Sequence, residues 1–369
     1  MDAMEYPLYG STFTLHRASP LYHGSDHVFD NLDLHARRLR EYVAGDRARS
    51  ALLTDLQPEL AGTGGLESCQ WSLLGDEATW ERQQEDPETI QTTTRNARGI
   101  NIQLKFERAK YSAVLLGDRA KMSATPGFTS LPLILMRMPV ALREVFLDFL
   151  ATSFDTRTSP LKLRSSFLSS CLEGLLEQTV AEDDEDPALS LDALSKGVGL
   201  QLSFPSAAPH LKNIDLTISK DDIREFQNRG AALWRQYQAR HSNEKSQWAA
   251  RPSSNITGSF TAALSAYLSN HIAMELDNPA IVLSKVALGP FALAGEGKVK
   301  VLATSAASVQ FWDMLIHDAY GSGMEVLEKT PAVAPKDGAR GPSRKARLTS
   351  VPSEPPPPYE LHDPARQLR

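Results

Sequence analysis

The sequence predicts an α+β fold in which a largely antiparallel β-sheet is packed with helices. Residues 100–106 alternate apolar and polar side chains, which is the pattern of a half-buried strand. Phe260, Leu264 and Leu268 recur every four residues, which gives a helix one apolar stripe that must be buried. The Gly-Glu-Gly sequence at 295–297 separates two apolar runs, as the turn of a β-hairpin does.

Length and composition limit the classes of protein that the chain can represent. Its 369 residues, 41% of them hydrophobic, suffice for two domains or one large one. The formal net charge of −6 does not favour nucleic acid as a partner, although a local basic patch would. Cys69 and Cys171 are too few for a disulfide framework or a zinc cluster. No apolar run approaches the roughly 20 residues that span a bilayer, and the N-terminus lacks a secretory pattern. We therefore expect an intracellular protein of a reducing compartment.

Residues 1–180 are predicted to form an N-terminal α+β part. Gly45 is expected to end the first helix, and Pro139 is expected to lie in the first turn of the second. Residues 75–99 are polar and rich in acidic side chains, which predicts a mobile loop. The predicted strands lie at 6–17, 66–74, 100–106, 111–116 and 131–136, and the predicted helices at 26–44, 139–154 and 165–179.

The acidic sequence at 182–186, Glu-Asp-Asp-Glu-Asp, marks the best internal boundary of the chain. Like charges at adjacent positions repel one another and resist packing, so residues 181–196 are predicted to form a linker or an exposed loop. A docking patch for a basic partner remains an alternative. A calcium site is disfavoured, because the alternating ligands and the glycine of a calcium-binding loop are missing.

Residues 197–320 are predicted to form a C-terminal α+β part that binds a partner. Ser219 and Asp222 make a capping pattern that begins a helix, and Asn278-Pro279 ends the long helix that starts at Ser259. The predicted strands lie at 198–204, 211–218, 281–294 and 298–303, and the predicted helices begin after 219, span 259–276 and include 311–316.

From residue 321 to residue 369, proline, alanine, glycine and serine dominate, which predicts a disordered tail. The tail contains a basic cluster formed by Lys336, Arg340, Arg344, Lys345 and Arg347. This cluster is a nuclear-import signal, a weak nucleic-acid contact or simply part of a solvated tail. The sequence PPPPY at 355–359 can form a polyproline II segment of the kind that WW domains bind.

No sequence motif predicts an active site. His16 and His23 lack a third metal ligand at a useful spacing, so we interpret them as ordinary histidines. The glycine-rich stretches at 61–65 and 295–298 lack the spacing of a phosphate-binding loop. His271 precedes a glutamate by four residues, and a surface contact explains this pair more simply than acid–base chemistry. We therefore predict a non-enzymatic protein that needs no cofactor or metal.

Two stretches of the chain resemble a known family. The first, at 8–24, is LYGSTFTLHRASPLYHG, and the second, at 261–302, is TAALSAYLSNHIAMELDNPAIVLSKVALGPFALAGEGKVKVL. They are similar to the N-terminal signature and to the C-terminal helix and hairpin of fungal CENP-L-like inner-kinetochore subunits. The pieces RMPVALREVFLDFLATSFDTR at 137–157 and SPLKLRSSFLSSCLEGLLE at 159–177 fit the same order. The resemblance covers most of residues 6–320 and rests on scaffold patterns rather than on a chemical motif.

The resemblance implies a CENP-L/CENP-N-like fold and a structural role in the constitutive centromere-associated network. It implies heterodimerisation with a CENP-N-like protein through the C-terminal part, and contacts with other inner-kinetochore subunits. It also implies support for kinetochore assembly on CENP-A chromatin and for chromosome segregation, with an indirect contact to centromeric chromatin. The expected location is the centromere in the nucleus. A homodimer is possible where the partner is absent, and no membrane is involved.

The hairpin at 281–303 is our hypothesis for the partner interface. Gly289-Pro290 interrupts its first strand, and proline is tolerated mainly at sheet edges or bulges. An edge strand offers unpaired backbone groups to another chain. The predicted contact residues are Phe291, Leu293, Val299 and Val301. The alternative is that the whole hairpin belongs to the internal core.

Two other functions remain open. One is a direct DNA- or nucleosome-binding module, with contacts from Arg37, Arg38 and Arg40 of the first helix and from Arg344, Lys345 and Arg347 of the tail. The other is a small-molecule enzyme of a class without a recognisable motif. A salt titration with duplex DNA separates the first from an assembly subunit, because counterion release makes DNA binding fall steeply with salt.

Overall fold

A computed structural model describes residues 6–51, 63–85, 91–122, 125–181, 197–205, 212–242, 254–289 and 291–321. Contacts between residues divide the chain into two units, 1–325 and 326–369, and every described residue belongs to the first. The acidic sequence at 182–186, Pro290 and the predicted tail from Ser322 onwards lie outside the described residues. No helix in the described ranges is long and apolar enough to cross a membrane.

The described residues contain thirteen strands. They are β1 (Thr12–Ala18), β2 (Leu21–Tyr22), β3 (Leu66–Leu74), β4 (Gly99–Phe106), β5 (Lys110–Leu116), β6 (Phe128–Thr129), β7 (Leu133–Arg137), β8 (Thr158–Pro160), β9 (Val198–Ser203), β10 (Asn213–Ile218), β11 (Val282–Leu288), β12 (Phe291–Ala294) and β13 (Lys298–Val301).

The same ranges contain seven α-helices and one short 3₁₀ turn at Val28–Asp30. The helices are α1 (Leu32–Ala51), α2 (Glu77–Glu85), α3 (Val140–Phe154), α4 (Ser165–Ala181), α5 (Lys220–Ser242), α6 (Ser259–Ile272) and α7 (Ala306–Tyr320).

Eleven strands form one antiparallel sheet in the order β10-β9-β11-β12-β13-β1-β7-β5-β4-β3, with β8 also paired to β1. On one side β1 pairs with β7 through residues 14–17. On its other side it pairs first with β13, through Thr12–Thr14, and then with β8, through 16–18. The start of the chain therefore hydrogen-bonds to its last strand, and the two predicted parts share a single sheet. β2 and β6 form a separate pair.

Two hydrophobic clusters lie on opposite faces of this sheet. Val114 and Leu116 of β5 belong to one cluster, whereas Ala113 and Leu115 belong to the other, because side chains alternate between the faces of a strand. α4, α6 and α7 contribute to the first cluster, and α1 and α3 to the second. The first cluster extends beneath β9 to β13, so one core continues through both halves of the sheet.

The predicted fold class is confirmed: the protein is α+β, with a large antiparallel sheet covered by helices. The strand at 66–74 has the predicted bounds, and β4 and β5 form the predicted hairpin. The helices expected at 139–154 and 165–179 are α3 and α4. These elements were accessible to prediction because an apolar period matches the local structure in each of them.

Two predictions in the N-terminal half are wrong. Residues 75–99 were expected to form a loop, yet they contain α2, whose Glu77 and Thr79 are buried despite their polarity. Asp76 accepts a 2.8 Å hydrogen bond from the backbone N–H of Thr79, which is an N-cap interaction within an acidic sequence. The first helix was expected to end at Gly45, but α1 continues to Ala51, since a glycine lowers helix stability without forcing an end.

The long helix of the C-terminal half ends four residues earlier than predicted. Ala273 follows α6 with a left-handed backbone (φ 52°), and the N–H of Met274 bonds to the carbonyl of Leu268. This arrangement closes the helix before Asn278-Pro279. As a result Ile272 is 48% exposed instead of buried, whereas Leu276, beyond the helix, is 1% exposed.

Candidate functional site

The hairpin proposed as the partner interface does not lie at a sheet edge. Gly289 begins a turn that splits the predicted first strand into β11 and β12, and these two strands pair with each other. β11 also pairs with β9, β12 with β13, and β13 with β1. Each of the three strands therefore has a neighbour on both sides, and its backbone has no free edge to offer another chain.

The four predicted contact residues are part of the core. Phe291 and Leu293 are 2% exposed, and Val299 and Val301 are 0% exposed. Phe291 packs edge-on against Phe311 of α7 at a centroid distance of 5.8 Å. These side chains lie in the core on the side of the hairpin that carries α7. They have almost no exposed surface with which to contact a partner in the folded chain.

The opposite face of the hairpin is open and polar. A row of paired residues crosses this face from strand to strand. It runs from Lys298 of β13 through Ala294 of β12, Lys285 of β11 and Gln201 of β9 to Asp215 of β10. The α1 and α3 helices that cover this face beside β3 to β7 do not extend over β9 to β13. The C-terminal half of the sheet thus has one buried face and one face that reaches the surface.

A free sheet edge in the C-terminal half is formed by β10, which pairs only with β9 in the described residues. The N–H of Phe204 donates to the carbonyl of Lys212 at 3.0 Å, which identifies a hydrogen-bonded pair in this antiparallel ladder. Because bonded and non-bonded pairs alternate, the backbone groups of Asn213, Asp215 and Thr217 point away from β9.

α5 follows β10 directly and packs on α6 beside this edge. Gly230 allows the close approach, since a Cβ atom there would lie 1.8 Å from the carbonyl oxygen of Ser259. Phe226 of α5 contacts Tyr267 of α6 at a ring-centroid distance of 5.8 Å. Tyr267 is 49% exposed, so the pair of helices leaves an aromatic ring at the surface.

α4 fixes the start of α6 through a buried carboxylate. Glu173 is 4% exposed and accepts hydrogen bonds from the N–H of Phe260 (3.2 Å) and from the N–H (2.6 Å) and hydroxyl (2.7 Å) of Thr261. Burial raises the pKa of this carboxyl above its usual range, and the three hydrogen bonds oppose the rise. Glu173 therefore serves as the N-terminal cap that Gly258 cannot supply from its own side chain.

The arginines predicted to contact nucleic acid are divided between the described and undescribed residues. Arg37, Arg38 and Arg40 of α1 are all exposed, and none forms an ion pair with another described residue. Arg37 and Arg40 are three positions apart and lie on one side of the helix, whereas Arg38 lies on another side. The tail residues Arg344, Lys345 and Arg347 lie outside the described residues.

A cavity lined by charged residues adjoins a buried ion pair. Arg98 and Glu77 are each 7% exposed, with 3.2 Å between Nη1 and Oε2, and the same guanidinium reaches Oδ1 of Asp313 at 3.2 Å. Tyr9 donates to Glu77 at 2.9 Å. The adjoining cavity has a volume of about 430 Å³. The ion pair joins α2, the start of β4 and α7, which assigns it a structural role.

The histidines and cysteines form no metal centre in the described ranges. His16 on β1 is 5% exposed, and burial beside Arg143 lowers its pKa. His23 lies next to His27 with a ring-centroid distance of 5.0 Å. His271 contacts Tyr267 instead of forming a predicted pair with the following glutamate, since α6 ends one residue after it.

Asn255 belongs to a sequence that matches a glycosylation sequon, but its side chain is a structural clamp. It is 4% exposed, and its Nδ2 donates to the carbonyls of Leu276 (2.7 Å) and Ile281 (3.1 Å). Both amide hydrogens are therefore used to connect the segment before α6 with the segment after it. The amide is inaccessible to any modifying enzyme in the folded protein.

The β10 edge, Glu173 and the Arg98–Glu77 pair were not predicted from the sequence. An edge depends on strand order, which the sequence did not reveal. Glu173 lies on the apolar face of its helix, and a charged residue at such a position is a detectable signal. Arg98 immediately precedes the alternating pattern of β4 and has no signal of its own.

These observations define a class of protein, an α+β scaffold built on one long antiparallel sheet whose two ends are open edges. The family model of centromere protein L (CENP-L) matches residues 7–324, and the chain therefore belongs to the CENP-L family. It is a kinetochore protein of the constitutive centromere-associated network, located at the centromere in the nucleus. The family is a structural one that works in partnership within the kinetochore complex. A comparison with curated protein sequences found no match.

Proposed function

We propose that this chain is a non-enzymatic assembly subunit that pairs with a CENP-N-like protein through its C-terminal part. The pair would join other inner-kinetochore subunits and support kinetochore assembly on CENP-A chromatin, with an indirect contact to that chromatin. The free edge of β10 is the observation that supports this proposal, because it lies in the part of the chain through which the partner is expected to bind.

The β10 edge replaces the 281–303 hairpin as the proposed contact surface. Asn213, Asp215 and Thr217 offer outward-pointing backbone donors and acceptors, so a strand of the partner can extend the sheet. The adjoining surface of α5 and α6, which includes Tyr267, adds apolar area to these polar contacts. Phe291, Leu293, Val299 and Val301 contribute indirectly, by fixing the position of the sheet.

Co-expression with a CENP-N-like protein, followed by size-exclusion chromatography with light scattering, tests the proposal. We expect a 1:1 complex with the chain as it stands. Thr217→Pro removes an outward-pointing N–H that bonds to no other described residue, and we expect this variant to fold and to lose the complex. Thr217→Ala is the matched control, because it removes the same side chain and keeps the backbone donor.

The experiment tests separately whether the β10 edge is the interface and whether the CENP-N-like protein is a partner. A complex that survives Thr217→Pro in a folded protein would show that pairing does not use the β10 edge. A chain that forms no complex at all with the CENP-N-like protein would contradict the partnership itself. A homodimer of the isolated chain that is lost in Thr217→Pro would place self-association at the same edge.

Direct binding to DNA or to a nucleosome is the second candidate function, and the exposure of Arg37, Arg38 and Arg40 favours it. Phosphate contacts by these arginines and by the tail cluster would make the affinity for duplex DNA fall with salt, with a slope near −0.9 per phosphate contacted. We expect the isolated chain to show little binding to a 20-base-pair duplex at physiological salt. Strong binding that Arg37→Ala/Arg38→Ala/Arg40→Ala removes would favour this second candidate.

A further inference from the structure

The second free edge of the sheet is β3, at the far end from β10. β3 is nine residues long and pairs only with β4 in the described residues. Proteins commonly protect an edge strand with charged residues, proline or a bulge. Here a register shift at Glu67 protects the start of the strand, but residues 68–74 contain no charged residue and no proline. Within the described residues, most of this edge is therefore unprotected.

The backbone pattern shows which groups of β3 are available. The N–H of Phe106 donates to the carbonyl of Ala109 at 2.8 Å, so the backbone groups of Phe106 point towards β5. Because this direction alternates along β4, the backbone N–H and C=O groups of every second residue, from Lys105 to Gly99, point towards β3. The register places these residues opposite 68, 70, 72 and 74. The backbone groups of Cys69, Trp71 and Leu73 consequently point outwards, where a further strand would bind.

α1 lies over β3 and determines which side chains an added strand would meet. Ala36, Leu39 and Val43 face the core, and His35 contacts Trp71 at a ring-centroid distance of 5.7 Å. The first turn of α1 lies by Trp71, because His35 contacts that ring. Burial raises the pKa of the Cys69 thiol to about 12, and Trp71 and the positive charge of Arg40 partly oppose that rise.

The two flanks of α1 face different surroundings. Tyr42 donates to Asp148 and packs on Phe149, so its flank faces α3. At 3.6 residues per turn, Arg40 and then Arg37 lie on the other flank, which faces the free edge of β3. Both arginines are exposed. Asp33 lies on the same flank, one turn before Arg37. The positive charge is therefore concentrated beside Cys69 and Trp71 rather than along the whole edge.

We propose that the edge of β3 binds an extended segment of a partner protein that adds a strand to the sheet and directs acidic side chains towards Arg37 and Arg40. Main-chain hydrogen bonds to Cys69, Trp71 and Leu73 provide the attachment, and the arginines select the charge of the incoming segment. Side chains on the other face of the added strand are uncharged, because they lie beside Gln70 and Ser72. This surface is separate from the β10 edge and does not depend on the CENP-N-like partner.

Hydrogen–deuterium exchange of the full chain tests this inference with two synthetic probes. The first is an eight-residue peptide of alternating threonine and glutamate, and the second is its matched control with lysine in place of glutamate. We expect the glutamate peptide to slow exchange at the amides of Cys69, Trp71 and Leu73 at least tenfold at saturation. We expect the lysine peptide to leave their exchange unchanged.

Charge reversal provides the decisive variant. Arg37→Glu/Arg40→Glu changes only exposed side chains, so we expect the variant to fold, to lose its response to the glutamate peptide and to respond to the lysine peptide. Arg229→Glu/Arg235→Glu on α5 changes the net charge equally and should retain the original preference.

Three results of the exchange experiment would overturn the proposal. They are protection by neither peptide, protection that the Arg37→Glu/Arg40→Glu change leaves unaltered, and protection confined to α1. A 20-base-pair duplex that protects the β3 amides as well as the glutamate peptide does would also overturn it, by making phosphate the ligand.

Discussion

Arg98 is a buried cation whose neutralisation depends on Glu77, with the exposed Asp313 as a second carboxylate. Removing one member of such a pair leaves the other charge without compensation in the protein interior, which is more costly than removing both. We expect Arg98→Leu to lower the free energy of unfolding by about 3–5 kcal/mol, measured by urea denaturation. The double variant Arg98→Leu/Glu77→Leu should recover a large part of that loss.

Lys105→Met is a suitable comparison for Arg98, because Lys105 pairs with Glu67 at the surface, with 54% and 43% of the two side chains exposed. Surface pairs are screened by solvent, so this change should cost less than about 1 kcal/mol. Equal losses for the Arg98 and Lys105 variants would contradict the view that burial makes the Arg98–Glu77 pair important.

Phe291 illustrates why the hairpin side chains do not serve as an interface. We expect Phe291→Ala to destabilise the fold by about 3–5 kcal/mol, because it leaves a cavity against Phe311. Lys300→Ala, on the open face of the neighbouring strand, should change stability by less than about 0.5 kcal/mol. Thermal unfolding of both variants provides the measurement, and a Phe291→Ala protein with unchanged stability would show that this ring is not packed in the core.

At the scale of single elements, the end of α6 stores a small amount of backbone strain. Ala273 adopts φ 52°, a left-handed conformation that costs a residue with a side chain roughly 1–2 kcal/mol. We expect Ala273→Gly to stabilise the protein by about 0.5–1 kcal/mol, after allowance for the greater freedom of glycine in the unfolded chain. Ala266→Gly, the same change inside α6, should instead destabilise by about 1 kcal/mol. Differential scanning calorimetry of the two variants distinguishes the effects by the direction of the shift in Tm.

The packing of α1 and α3 on the sheet makes stability depend on pH. Burial lowers the pKa of His35, with further effects from Arg38 and His23, and burial with Arg143 lowers the pKa of His16. In the unfolded chain these histidines take up protons below about pH 6.5. In the folded chain burial disfavours their protonated forms, so they take up protons only at lower pH. Stability should therefore decrease as the pH falls from about 6.5 towards the lower folded pKa values.

The histidine contribution can be isolated by comparing slopes of Tm against pH between 7.5 and 5.5. We expect His35→Leu to have a smaller slope than the unmodified chain. Ile272→Ala, at an exposed position that carries no titratable group, should keep the original slope. Parallel slopes for the His35 variant and the unmodified chain would contradict a role for His35, whatever the change in absolute Tm.

At the scale of the whole molecule, β1 holds the two halves of the chain together. It pairs with β13 on one side and β7 on the other, and its Leu15 belongs to the same core as α7. We expect a chain cleaved by a site-specific protease at a target sequence inserted between residues 187 and 195 to keep both fragments together. Size-exclusion chromatography in native buffer should show one complex, and the same sample in 6 M urea should show two chains. Fragments that separate in native buffer would mean that the predicted N- and C-terminal parts are independent domains.

Much of the architecture was predictable because it depends on short-range periodicity. β3, β4, β5, α3, α4, β9 and α7 each have an apolar pattern that matches their structure, and Ser219 and Gly295-Glu296-Gly297 mark boundaries by local backbone chemistry. α2 was not predicted because its composition is polar, which is typical of a loop. Its burial depends on the ion pair of Glu77 with Arg98, and Arg98 lies outside the helix in the sequence. α6 was predicted too long because the left-handed conformation of Ala273 leaves no trace in residue type.

The candidate contact surfaces were the least predictable part. A sequence shows that residues 213–218 and 66–74 are strands, but it does not show that each has a neighbour on only one side. Phe291, Leu293, Val299 and Val301 are apolar both in an interface and in a core, so their identity alone could not distinguish the two. The pairing of β1 with β13 places the hairpin in the middle of the sheet.

The sequence by itself determined the α+β class, most of the elements and, through the order of its scaffold patterns, the family to which the chain belongs. Local hydrophobic periodicity and turn chemistry are sufficient for the elements, since each depends on residues close together in the chain. Only the tertiary structure decided the order of the strands, the interior position of the hairpin and the free edges at β10 and β3. Strand order depends on contacts between residues up to about 290 positions apart, such as Thr12 with Lys300, and no local pattern encodes these contacts.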